Sequence, residues 1–239
     1  KNHISKEDKY TFAMQELSNY LGLKNIKKIE GYDVSHFSGD NAVASCVVFS
    51  SQGPEKKNYR LFNIPRDLSG NDIGSLEHVM ERRIKYYADS ELKPDVILID
   101  GGKNQLNFVK SVINKSDHHD IKVISIVKGS NRVRATETII SEDGVIELDK
   151  YSKAFLILQE IRDESHRFAI RAQRNKKRKK ISQSELDSIK GIGDILKKRL
   201  LTKFKSIKNI KSADLNELMT VEGINEKIAK EILDKFKHD

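Results

Sequence analysis

Apolar and polar positions along the first 170 residues follow two periods, one helical and one typical of strands. Phe12, Leu17 and Leu21 recur at helical spacing and predict a helix over residues 7–23. β-Branched and aromatic runs then predict a meander of three strands, at residues 28–34, 42–49 and 59–64.

Two later runs, at residues 95–99 and 122–127, are apolar at nearly every position and are separated by a helical pattern. Runs that are apolar on both faces and joined by a helix are typical of buried parallel strands. The remaining patterns predict a helix over residues 73–88, a hairpin around residues 142–144 and a helix over residues 151–175. This part of the chain is therefore predicted to be an α/β domain with mixed strands.

The end of the chain repeats itself at an offset of 32 residues, with seven matched positions from Leu186–Phe204 to Leu218–Phe236. Each copy predicts two helices joined by a tight turn, at Gly191–Gly193 and at Gly223–Asn225, where Gly and Asn tolerate positive φ. Such a turn presents backbone N–H groups to a phosphate oxygen, and Lys198, Lys203, Lys230 and Lys235 would add positive charge. The alternative is a small helical repeat that only packs.

The positive charge of the chain is concentrated in one stretch, between the two predicted domains. The 239 residues carry a formal net charge of +9, and residues 171–180 hold seven Lys or Arg and no acid. These seven cations are Arg171, Arg174, Lys176, Lys177, Arg178, Lys179 and Lys180. They indicate either a linker that contacts nucleic-acid phosphates or a solvated helix end. We expect a first domain over residues 1–172, a basic linker over 173–183 and a helical domain over 184–239.

Composition excludes several classes of protein. No apolar run approaches the ~20 residues of a membrane span, so a soluble protein is expected. Cys46 is the single cysteine, which fits a reducing, cytoplasmic compartment and excludes a zinc site built from cysteines. Gly101-Gly102-Lys103 lacks the residues of a Walker phosphate loop, although Lys103 remains a candidate phosphate contact at a helix start.

Two acids stand at the ends of predicted strands. Asp33 lies in an apolar, β-forming context in which an Asp is disfavoured without a partner or an ion. Asp100 ends a predicted parallel strand, so the two carboxylates could meet at one sheet edge and hold a divalent cation. The alternative for Asp100 is a helix cap. His166 falls on the inward face of the 151–175 helix, as a third candidate ligand or as a core residue.

Four strings in order resemble the C-terminal half of the UvrC family, the nuclease subunits of bacterial nucleotide excision repair. They are GYDVSH (31–36), VASCVVF (43–49), DVILIDGGKNQL (95–106) and IRDESHRFAI (161–170), followed by the paired helix-hairpin-helix pattern. The resemblance implies an RNase H-like five-stranded mixed sheet flanked by helices, followed by a tandem helix-hairpin-helix domain.

The resemblance also implies an endonuclease that makes the incision 5′ to a lesion with Mg²⁺ or Mn²⁺. By motif, Asp33, Asp100 and His166 would be the catalytic and metal-binding triad, and Asp72 matches a further family acid only in part. The implied partners are damaged or junction-containing double-stranded DNA and the UvrB–DNA complex, whose binding segment has no counterpart here. A nuclease for another branched DNA, and a DNA-binding module without catalysis, remain as alternatives.

Overall fold

The structure is a computed structural model that describes residues 6–35, 42–89, 91–128 and 137–237. Backbone contacts divide the chain into two compact units, Lys1–Ala172 and Gln173–Asp239. Among the described residues, no helix has both the length and the apolar character that crossing a bilayer requires.

The first unit is built on one mixed sheet. Its eight described strands are β1 (Lys28–Ser35), β2 (Val43–Ser50), β3 (Gly53–Pro54), β4 (Arg60–Asn63), β5 (Val96–Asp100), β6 (Lys122–Lys128), β7 (Glu137–Ser141) and β8 (Gly144–Ile146). They run in the order β3-β2-β1-β5-β6-β7-β8, with β4 also paired to β2. Among the hydrogen-bonded neighbours in the described residues, only the pairs β1–β5 and β5–β6 are parallel. The α/β class is confirmed, and the predicted hairpin β7–β8 together with the two-residue β3 widens the sheet beyond the expected five strands.

Helices α1 (Lys6–Leu21), α2 (Asp72–Ile84) and α3 (Lys103–Asn114) lie in the first unit, and α4 (Lys153–Asp187) begins in the first unit and ends in the second. Helix α4 continues to Asp187 instead of ending near residue 175. No Gly or Pro interrupts this stretch, and Lys, Arg and Gln are good helix formers. Residues 173–183, expected as a linker, are therefore helical.

The side chains of β1 alternate between the two faces of the sheet, and one face receives α4. A Cβ atom at Gly31 would lie 2.3 Å from Ile161 Cγ2 of α4, far inside van der Waals contact. Only glycine lets the helix approach so closely, because any side chain there would collide with Ile161. This close approach brings α4 over Asp33, two residues further along the same face.

The opposite face of β1 carries a buried polar cluster formed by Glu30, Tyr32, Arg83 and Tyr87. Both phenolic hydroxyls donate to Glu30 Oε2 at 2.6 Å, and Arg83 of α2 donates to Glu30 Oε1 through Nε at 3.0 Å and also through Nη2. Glu30 is 0 % exposed and Arg83 is 3 % exposed. Burial raises the pKa of both phenols well above the usual range. The carboxylate is thus fully partnered, which a buried charge requires.

The single cysteine lies next to this cluster. Cys46 of β2 pairs with Tyr32 in the antiparallel register and is fully buried. Burial raises the pKa of its thiol well above the usual range. The thiol therefore stays protonated and behaves as a small apolar side chain.

The second unit is helical, as predicted. After the end of α4 it contains α5 (Asp194–Phe204), α6 (Ile207–Ser212), α7 (Leu215–Met219) and α8 (Glu226–Lys237). Gly191 and Gly223 adopt φ angles of 91° and 89°, as expected for the two turns. Gly193, at the last position of the first turn, does not use the positive φ that glycine permits: it is extended with φ −93° and caps α5. Asn225 instead accepts a hydrogen bond from the Ile228 N–H at 2.9 Å, which caps α8.

Arg83→Leu should lower the free energy of unfolding by about 3–5 kcal/mol, because Glu30 would keep its buried charge without its cationic partner. Arg82→Leu is the matched control, since Arg82 is an exposed neighbour on the same helix. Urea denaturation of both variants measures the difference. Equal losses in the two variants would contradict a special role for the buried pair.

Candidate active site

The structure brings Asp33 and His166 into contact. His166 Nδ1 lies 3.2 Å from Asp33 Oδ2, and the Ser35 hydroxyl donates to the same oxygen at 2.6 Å. The Asp33 side chain is 9 % exposed, whereas the His166 side chain is 55 % exposed. A nearly buried carboxylate therefore meets an imidazole that is open to solvent. This arrangement suits a site where the imidazole faces an incoming ligand.

Asp100 lies beside Asp33 by strand register. β1 and β5 are parallel, with Tyr32 opposite Ile99 as the last registered pair. Asp33 and Asp100 are each the next residue, so they occupy equivalent positions on neighbouring strands, which are spaced ~4.8 Å apart. Residues at equivalent positions of parallel neighbours share a face of the sheet. The two acids therefore occupy neighbouring positions at the carboxyl ends of two parallel strands.

Asp72 stands at the first position of α2, in a cleft of about 640 Å³ that also includes Gly102 and Lys103. Gln105 connects this acid to the turn after Asp100. Its amide nitrogen donates to Asp72 Oδ2 at 3.0 Å, and its amide oxygen accepts from the Gly102 N–H at 2.7 Å. Asp72, which matches the family acid only in part, is therefore joined to the turn after Asp100 through Gln105. Among the described hydrogen bonds, none joins Asp72 directly to Asp33.

Buried serines position the site, and sequence reasoning missed them. Ser45 lies opposite Asp33 in the register, is fully buried, and donates to the carbonyl of Ser165 at 2.9 Å, directly before His166. Ser125 of β6 donates to the Ile99 carbonyl at 2.9 Å and also to the carbonyl of Gly101. The signal that could have revealed them is a serine inside an otherwise apolar strand run, since a buried hydroxyl needs a partner.

The donor set fits a hard divalent cation. Mg²⁺ prefers oxygen ligands and is commonly held by one or two carboxylates, with waters and substrate phosphates completing its shell. Asp33 and Asp100 supply two carboxylates at one edge. Within the residues that the structure describes, no group of three or more His, Cys, Asp or Glu side chains converges as a complete protein shell would. The arrangement therefore matches an ion shared with a phosphate better than a closed protein cage.

The predicted DNA contacts are distributed over both units. Lys103 begins α3 and is exposed beside the Asp72 cleft. Arg171, Arg174 and Lys177 are exposed on α4, and Lys176 belongs to the same helix with its side chain outside the described part. In the second unit, the exposed candidates are Gly191, Gly193, Lys198, Gly223, Asn225 and Lys230.

Comparison with known families gives two matches. Residues 18–170 match the family model described as UvrC RNAse H endonuclease domain. Residues 184–238 match the model described as SAM-like helix-hairpin-helix tandem. Together the two models account for most of the chain and divide it within helix α4.

Curated relatives share this pattern. The chain is 40 % identical over 216 residues to UvrABC system protein C of Legionella pneumophila (strain Paris), which covers 89 % of this chain and 35 % of that protein. The protein of the same name from Saccharophagus degradans is 37 % identical over 218 residues, covering 90 % and 36 %. The chain thus spans about a third of the length of these relatives.

One solved structure with a similar backbone is human ENDOV, at a TM-score of 0.40 and 12 % identity, covering 62 % of this chain and 86 % of that one.

Gly31→Ala should lower the free energy of unfolding by about 1–3 kcal/mol, because its Cβ would collide with Ile161 Cγ2. The Gly31→Ala/Ile161→Ala double variant removes the colliding atom, so its loss should be smaller than the sum of the two single losses. Gly102→Ala is the control, since a Cβ there meets nothing within 4 Å. Additive losses in a double-mutant cycle by urea denaturation would rule out the collision.

Proposed function

This chain belongs to the UvrC RNase H endonuclease domain family, and on that premise we propose that it is a divalent-metal-dependent endodeoxyribonuclease that makes the 5′ incision in nucleotide excision repair. The observation that carries the proposal is the meeting of Asp33 and Asp100 on neighbouring parallel strands, with His166 in contact with Asp33. Paired carboxylates with an exposed imidazole at a sheet edge suit phosphodiester hydrolysis.

Asp33 and Asp100 would hold Mg²⁺ or Mn²⁺. The bound ion would supply Lewis-acid stabilisation of charge on the scissile phosphate and a lower pKa for an attacking water. Ser35 and His166 both hold Oδ2 of Asp33, which fixes the rotation of the carboxylate and leaves Oδ1 for a further interaction. The orientation of the ligand oxygen is therefore set before the substrate arrives.

His166 has two roles open to it through its two ring nitrogens. When Nδ1–H donates to Asp33, Nε2 carries the lone pair and can accept a proton from the attacking water. Direct ligation of an ion by Nδ1 would require release of this contact. The solvent exposure of the ring favours the first role, because Nε2 can reach a substrate at the surface.

The helical unit would hold the DNA backbone without reading bases, and the basic stretch of α4 would add phosphate contacts. Because the curated relatives are named as components of a UvrABC system and are about three times longer, we propose the UvrB–DNA complex as the partner of the complete protein. Its place of action would be the cytoplasm, where bacterial DNA lies.

Ion binding provides the first test, because it needs no partner protein. Calorimetric titration of the chain with Mn²⁺ should show one site or more, and Asp33→Asn and Asp100→Asn should each weaken binding by ~10-fold or more through loss of a charged ligand. Glu77→Gln, an exposed acid on α2, should leave Mn²⁺ affinity unchanged. Undiminished affinity in both Asp variants would exclude these carboxylates as ligands.

Incision provides the second test. In the complete protein, reconstituted with the other UvrABC components on lesion-containing duplex, His166→Ala, Asp33→Asn and Asp100→Asn should each lower 5′ nicking by ~10²-fold or more. DNA affinity measured by gel shift should change little, since the site acts on the bond and the helical unit holds the duplex. Normal nicking by a variant would remove that residue from the mechanism, and cleavage of undamaged branched DNA alone would favour the other nuclease class.

A further inference from the structure

The two helix-hairpin-helix repeats of the second unit share a backbone design but differ in charge. Residues 186–204 carry five Lys or Arg and two acids, whereas the matching residues 218–236 carry three Lys and four acids. The first repeat therefore has a net charge of +3 and the second of −1. The positive first repeat attracts the negatively charged DNA backbone, whereas the negative second repeat repels it.

The positive charge of the first repeat lines a groove. Ile195, Lys198 and Thr202 lie at spacings of three, four and seven along one face of α5. Together with Lys203 they border a groove of about 570 Å³, whose other wall is formed by Thr220–Glu222. Lys198 and Lys203 are exposed, and neither forms an ion pair within the described part of the chain. Both ammonium groups are thus available to an anion.

The second hairpin serves as a wall of this groove. Arg199 donates to the Glu222 carbonyl at 2.8 Å and lies 3.1 Å from its carboxylate. A Cβ atom at Gly223 would lie 2.9 Å from Leu196 Cδ2, so the turn packs directly on α5. Arg199 is therefore used to hold the second hairpin in place and to neutralise its acid.

At the positions that match the first groove, the second repeat offers carboxylates. Glu231 and Asp234 replace Arg199 and Thr202, which border the first groove. Lys230, the counterpart of Lys198, lies 2.6 Å from Glu226. Lys227 and Lys235 are the other cations at matching positions, and the neighbouring acids Glu231 and Asp234 offset part of their attraction for a phosphate.

We propose that the first repeat alone contacts the phosphodiester backbone of DNA, through Lys198 and Lys203 beside the groove, while the second repeat is a structural wall. This inference rests on the proposed function and narrows it, because the sequence had assigned both hairpins to DNA. The exposed Ile195, 70 % accessible at the groove, offers an apolar surface to a deoxyribose between the phosphates.

Matched variants of the full chain test the asymmetry. Lys198→Ala/Lys203→Ala removes two cations from the first repeat, and Lys230→Ala/Lys235→Ala removes their counterparts at the offset of 32. Binding to a fluorescent DNA duplex is measured by anisotropy from 50 to 200 mM salt. The first double variant should weaken binding by roughly 10-fold and reduce the salt slope by about 1.8, since each phosphate contact contributes about 0.9. The second should change Kd by less than about 2-fold.

Each outcome is decisive. Equal weakening in the two double variants, or weakening only in the second, would overturn the asymmetry. Unchanged affinity in both, with a wild-type chain that binds, would overturn it as well. A wild-type chain that binds no DNA would instead contradict the proposed function. Circular dichroism of each variant verifies that the helices remain folded.

Discussion

The close approach of α4 to β1 is the constraint on which the site depends. Gly31 leaves no side chain between the strand and Ile161, so the helix lies directly on the backbone of the sheet. Ser45 then ties the carbonyl of Ser165 to the neighbouring strand. The packing at Gly31 fixes the distance between α4 and β1, and the Ser45 hydrogen bond fixes how far along the helix axis α4 is placed on the sheet. His166 reaches Asp33 because the close contact lies at Gly31, two residues before Asp33, and the hydrogen bond lies at Ser165, one residue before His166.

The other face of the same strand is held by electrostatics instead of close packing. Glu30 accepts hydrogen bonds from Arg83 and from two phenols, in a place that water does not reach. A buried ion pair of this kind gives less stability than its Coulomb attraction suggests, but it penalises every arrangement that leaves the charge unpaired. The cluster thus specifies where α2 sits on β1. Since α2 begins at Asp72, it also specifies where that acid lies relative to the sheet edge.

Local sequence patterns predict much of this architecture, because the spacing of apolar residues depends on whether a segment is a helix or a strand. The apolar runs at residues 95–99 and 122–127 correspond to parallel strands, and the two acids at strand ends lie side by side. The pairing of Glu30 with Arg83 joins residues that are 53 apart, so no local pattern encodes it. The same holds for Ser45 and Ser165, 120 residues apart. The conformation of Gly193 does not follow from its identity, because glycine permits both signs of φ, and the neighbouring helix, not the residue, decides between them.

The burial of Cys46 has a practical consequence. Its thiol lies inside the sheet next to the Glu30 cluster, protonated and out of contact with solvent. The thiolate is the form that attacks alkylating reagents, so in the native state Cys46 is protected both because reagents cannot reach it and because its thiol is protonated. A single natural thiol at the centre of the core therefore reports opening of the sheet without any added label. Its rate of modification would follow breathing of β1 and β2, the two strands that carry Asp33 and Ser45.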